Sequence, residues 1–172
     1  MTEAEPADRP VIQTRLLSEY FHHAVHSAAQ RRHLPADDAT LHYLTLLLCQ
    51  YARSERVFDY DDQRLRIRPL ALLYRDALEA HSAQERRLWL QRLGDLALFI
   101  GGLFAGRLSR RFEDLDYCVA MGGSAYGYLQ QTAIHPGDRA QAAVFGELAA
   151  GFDRFVDLVS IVTGRCGTRP VA

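Results

Sequence analysis

Apolar residues near the start of the chain recur at helical spacing. Ile12, Leu16, Leu17, Tyr20, Phe21, Ala24, Val25 and Ala28 repeat at i, i+4 and i+5. At ~100° per residue these positions fall on one stripe, so the spacing predicts an amphipathic helix over 12–29. His33, Leu34 and Pro35 interrupt it. Asp37 or Asp38 supplies an N-cap oxygen for a second helix, which runs through Leu41, Leu44, Leu47, Leu48 and Tyr51 to about Arg53. Between Arg56 and Arg68 the period changes to two residues around the Asp61-Asp62 pair, which predicts a short β-hairpin or an extended loop.

Helical spacing returns after Pro69 and predicts a helix over 70–80. Ser82-Ala83-Gln84-Glu85 is a capping-box pattern that opens the longest helix, to about Gly106 or Leu108. Trp89, Leu93, Leu96, Ala97, Ile100 and Phe104 lie on one side of that helix, with Arg87, Gln91, Asp95 and Gly102 on another. A further helix covers 114–131, where Leu115, Val119, Gly122, Tyr126 and Leu129 form one apolar face. Tyr117, Met121, Ser124 and Tyr128 align on a second, so this helix is expected at the centre of the molecule. After the break at Ile134-His135-Pro136-Gly137, a last helix is expected over 138–163, with Val144, Leu148, Phe152, Phe155, Val159 and Val162 inward and Glu147, Asp153, Arg154 and Asp157 outward. About six helices with short links predict an all-α, single-domain bundle over 12–164, between a flexible acidic tail (1–11) and a flexible C-terminal tail (165–172).

Composition narrows the class. A chain of 172 residues with 48 % hydrophobic and 24 % charged residues matches an ordinary globular domain and excludes a disordered or collagen-like one. The net charge is -1, and all 20 basic residues are arginine. Nucleic-acid binding is therefore not expected, although Arg64, Arg66 and Arg68, the Arg86-Arg87 pair, and Arg107, Arg110 and Arg111 form local clusters. The first ten residues lack the basic and then apolar pattern of a secretory leader. The longest uncharged apolar run, Leu96 to Gly106, is 11 residues, too short for a membrane span. Cys49, Cys118 and Cys166 are odd in number and widely spaced, which argues against a disulfide framework and a thiolate zinc site and favours a reducing cytoplasm.

Three groups carry candidate chemistry. Glu19, His22 and His26 stand on successive turns of the first helix, with His23 beside them. Such spacing suits a transition metal or a haem, but the group lies opposite the apolar stripe, where a solvated polar face is the ordinary outcome. No other cofactor is expected. The second group is glycine. Seven glycines within Gly94–Gly106 and Gly122–Gly127, each costing a helix interior about 1 kcal/mol relative to alanine, need a compensating close approach. Gly102-x-x-x-Gly106 and Gly123-x-x-x-Gly127 provide small faces for tight helix crossing or for a flat ligand. The third group is the hydroxyl-bearing face of Tyr117, Met121, Ser124 and Tyr128, to which Asp95 could add a carboxylate, as in an apolar pocket with a few polar groups.

The segments Gly94-Asp95-Leu96-Ala97-Leu98-Phe99, Asp116-Tyr117 and Met121-Gly122-Gly123-Ser124-Ala125-Tyr126 resemble a family of small bacterial all-helical proteins to which no activity is attached. The resemblance implies a bacterial cytosolic origin and an all-α fold, and no catalytic residue. Together these readings lead to a non-enzymatic binding or regulatory module that recognises a protein partner or itself, as a homodimer, through the Gly/Tyr-rich helices. The alternatives are a metal- or haem-binding enzyme or sensor using the first helix, and a small-molecule pocket near Tyr117, Ser124 and Tyr128.

Overall fold

The computed structural model describes residues 9–53, 59–61, 64–66, 70–105, 112–133 and 135–166. The fold is all-α, with seven helices among the described residues: α1 (Arg9–Arg31), α2 (Asp38–Arg53), α3 (Leu70–Leu78), α4 (Ala83–Ala105), α5 (Phe112–Gln131), α6 (Arg139–Ala150) and α7 (Phe152–Cys166). Two three-residue strands, β1 (Asp59–Asp61) and β2 (Arg64–Arg66), pair antiparallel with Tyr60 opposite Leu65. No helix among the described residues is long and apolar enough to cross a membrane.

The helix ends follow local chemistry. After α1 the chain closes with Leu34 N–H donating to Ala29 O (3.0 Å) and His33 N–H to Gln30 O (3.1 Å). This paired closure places His33 in the left-handed region at φ 49°. At the start of α4, Ser82 Oγ accepts from Glu85 N–H (3.0 Å), and the Glu85 carboxylate reaches back to His81 N–H (2.8 Å), one residue before the amide that a capping box would satisfy. The single helix expected over 138–163 is two helices. Gly151, buried at φ -122° and ψ 30°, ends α6 with its N–H on Glu147 O, and α7 resumes one residue later. The break re-aims Phe152, Phe155, Val156 and Val159, all buried, into the core.

α4 is the central rod, not α5. It packs against α3, α5 and α7 and touches α2, while α1 lies across α2 and α7, and α5 rests on α6. Leu93, Ala97, Leu98, Tyr126, Leu148 and Val159 are fully enclosed where these helices meet. Two glycines set the spacing. A methyl group on Gly102 would lie 2.3 Å from Val159 Cγ1, and one on Gly122 would lie 2.1 Å from the tip of the Phe152 ring. Their lost helix propensity is therefore offset by bringing α7 against the backbones of α4 and α5. Gly123 and Gly127 meet only ordinary contacts from α6 and α7, and Gly106 lies outside the described residues. The close approaches of α7 thus fall at Gly102 and Gly122, not along the second small-residue face.

Candidate functional site: a cleft between α3, α4 and α5

The polar side of α4 that carries Arg87, Gln91 and Asp95 faces its neighbouring helices. Arg87 donates to Leu129 O (3.0 Å) and to Thr132 Oγ1 (2.5 Å), which ties the start of α4 to the end of α5. Gln91 donates to Tyr43 Oη (3.2 Å). One turn later, Asp95 Oδ1 accepts from two phenols, Tyr43 of α2 at 2.5 Å and Tyr126 of α5 at 2.7 Å. Gly94 makes the second bond possible, because a methyl group there would lie 2.6 Å from the Tyr126 ring. That ring stacks on Phe145 of α6, with centroids 5.5 Å apart and planes 17° from parallel, and Tyr43 meets the same phenylalanine edge-on at 5.7 Å.

Electrostatics within this cluster follows from its dryness. Loss of water pushes the Asp95 carboxyl up to about 6 and outweighs the two phenol bonds, which favour the charged form. Desolvation first, and the neighbouring carboxylate second, hold the Tyr43 and Tyr126 hydroxyls well above the ordinary phenol range, so both remain donors. The Tyr51 hydroxyl moves upward for the same two reasons. Among the described residues, no buried side-chain nitrogen or oxygen lacks a partner. Asp95 therefore belongs to an enclosed polar knot joining α2, α4 and α5, and not to the surface that carries the remaining α5 candidates. Arg92, one turn before it, lies over the Trp89 ring, 5.3 Å from its centroid.

Those remaining candidates do converge. Met121, Ser124 and Tyr128, with Ala125, form one wall of a cleft of about 330 Å³. Tyr74, Ala77 and Leu78 of α3 form the second wall, and Arg86, Leu90 and Leu93 of α4 form the floor. Tyr117 stands on the same α5 face but outside the cleft, 45 % exposed. The cleft volume falls at the lower end of the range typical of small-ligand sites. Its chemistry is mainly aliphatic and aromatic, with the Ser124, Tyr74 and Tyr128 hydroxyls and the Arg86 guanidinium as its polar side-chain groups. Sequence periodicity identified the α5 wall; Arg86 stood out only as part of an arginine pair and α3 not at all, because nothing in a linear pattern shows that α3 faces α5 across a cleft.

On the first helix, Glu19 and His22 are exposed and His26 is half-buried. The rings of His22 and His26 approach to 4.1 Å between centroids, His26 Nδ1 lies 2.9 Å from His22 O, and His26 Nε2 lies 4.0 Å from Asp38. Among the described residues, no group of three or more His, Cys, Asp or Glu side chains gathers as a metal would require. Arg68, Arg107, Arg110 and Arg111 lie outside the described residues.

One acidic residue is placed where its sequence position gives no hint. Glu147 of α6, expected to point outward, accepts from Asp37 N–H (3.1 and 3.2 Å to its two oxygens) and from the buried Thr40 hydroxyl. The carboxylate that serves the start of α2 thus comes from the far end of the chain. Comparison with family models, with curated proteins and with solved structures finds no match to this chain.

Proposed function

We propose that the protein is a non-enzymatic binding module that takes a small, mainly apolar molecule into the cleft between α3, α4 and α5. The observation that carries this reading is the cleft itself, a concavity of about 330 Å³ with apolar walls and a few polar groups. Its construction adds support. The α4 and α5 walls are held to one another by the Arg87 and Asp95 bonds, so the concavity is braced from behind. A preformed site spends little of its binding energy on ordering.

Recognition of a protein partner through the glycine faces has less to work with, since Gly94, Gly102 and Gly122 are covered by side chains of the same chain. A second reading, self-association as a homodimer, draws on the exposed rim of the cleft, where Tyr74, Leu78 and Tyr128 are 45 %, 59 % and 37 % exposed. A reducing, cytosolic setting agrees with Cys49 and Cys118, both buried and neither in a disulfide.

The test uses a neutral fluorescent probe, 1-aminoanthracene, whose emission rises on leaving water. Saturable binding is expected with one site per chain. Ser124→Trp, which places an indole in the cleft from an exposed position, should weaken it by at least ~10-fold while the unfolding midpoint stays near wild type. Binding that ignores this substitution refutes the small-molecule reading, and protein concentration-dependent dimerisation blocked by the same substitution would replace it with the homodimer.

A further inference from the structure

Among the described residues that line it, the cleft holds one charged group, and its placement points to the kind of molecule that fits. Arg86 lines the cleft beside Leu90 and Leu93, its Nε donating to Ala77 O at 3.1 Å. That bond uses the main-chain carbonyl in the last turn of α3 and fixes the plane of the guanidinium. Among the described residues Arg86 pairs with no carboxylate, although ion pairs form close by at Arg75–Glu79 and His81–Glu85. Its two terminal nitrogens therefore keep the forked pair of donors that matches a carboxylate or phosphate head in bidentate fashion. The other described lining residues offer such a head no second cation; Leu78, Leu90, Leu93 and Met121 offer a hydrocarbon body a dry bed.

We propose that the natural ligand is an amphipathic anion, with its single charged head on Arg86 and its apolar body between α3 and α5. This rests on the cleft being a small-molecule site, and it adds the ligand's charge and polarity. Arg86 acts on the ligand directly, and its bond to Ala77 O sets the direction of the fork. A guanidinium at the edge of an apolar trough distinguishes an acid from the alcohol of equal length, since only the acid gains paired, charge-assisted bonds there.

The experiment compares octanoate, octyl phosphate and octanol as competitors of 1-aminoanthracene on the full chain. Octanoate or octyl phosphate should bind at least ~10-fold more tightly than octanol, and whichever anion binds more tightly identifies the head. Arg86→Gln should weaken the anions by at least ~10-fold relative to octanol and so remove that preference, whereas Arg86→Lys, with a point charge and no fork, should keep part of it. Raising the salt concentration weakens only the anions, which supplies the same reading on the wild-type chain if Arg86→Gln fails to fold. Equal affinity for octanoate and octanol overturns the anionic ligand while leaving the cleft reading intact. Failure of 1-aminoanthracene to bind at all overturns the cleft reading, and the proposal with it.

Discussion

Replacing Asp95 with asparagine tests whether the polar knot behind the cleft is as dry as its geometry indicates. The substitution keeps the shape and the Oδ1 acceptor for Tyr43 and Tyr126 and removes the titration. The wild-type carboxyl stands at about 6 in the folded protein against an ordinary 3.8, so between these values the folded chain binds a proton that the unfolded chain has released. Stability from this group is therefore fully present below the unfolded value and is lost as the pH rises through about 6. Integrating from about pH 4.5 to about pH 7.5 gives a loss of about 2 kcal/mol, the equivalent of roughly 1.5 pKa units. Urea unfolding of both proteins across this range provides the assay. The wild-type stability minus the Asp95→Asn stability should fall by about that amount as the pH rises, with most of the fall below about 6 and a plateau above it. A difference that is flat, or that grows with pH, would refute the reasoning, because the carboxyl would then be solvated or held charged by its phenols.

Four further substitutions probe the frame. Gly102→Ala should destabilise by about 1–3 kcal/mol, since the new methyl meets both Cβ and Cγ1 of Val159, whereas Gly127→Ala, with its nearest neighbour at 4.0 Å, should stabilise by up to ~1 kcal/mol; thermal unfolding of the pair decides whether the crossing or helix propensity dominates. Glu147→Ala removes the acceptor of Asp37 N–H and of the buried Thr40 hydroxyl and should cost about 1–3 kcal/mol in urea unfolding, while an unchanged midpoint would mean that water serves the start of α2 equally well. His33→Gly relieves a left-handed residue at φ 49° and should leave stability unchanged or raise it by up to ~1 kcal/mol, and a clear loss would show that the imidazole contributes more than its backbone costs.

The all-α class, the positions of most helices and the Ser82 cap were legible because each depends on residues within a turn or two of one another. A stripe such as Leu41, Leu44, Leu47 and Leu48, all buried, needs one dry neighbour and nothing more specific. The α5 wall of the cleft was legible for the same reason. The interruption at Gly151 was not, since a glycine between two apolar stripes of matching phase reads equally well as a continuous helix.

Periodicity assigns residues to a face but is silent about what covers that face. Arg87, Gln91 and Asp95 share a side of α4 that looks solvent-directed from their types alone. Tertiary packing encloses that side and satisfies it with Leu129 O, Thr132, Tyr43 and Tyr126, partners 31 to 52 positions away. Glu147 is the extreme case, because its partners lie 107 and 110 positions earlier. Local spacing determined the rods of this protein. Only the folded arrangement decided which polar groups lie inside and which hydrophobic wall, with α3 and Arg86, lines a cleft, because those outcomes depend on contacts between segments that no short-range pattern encodes.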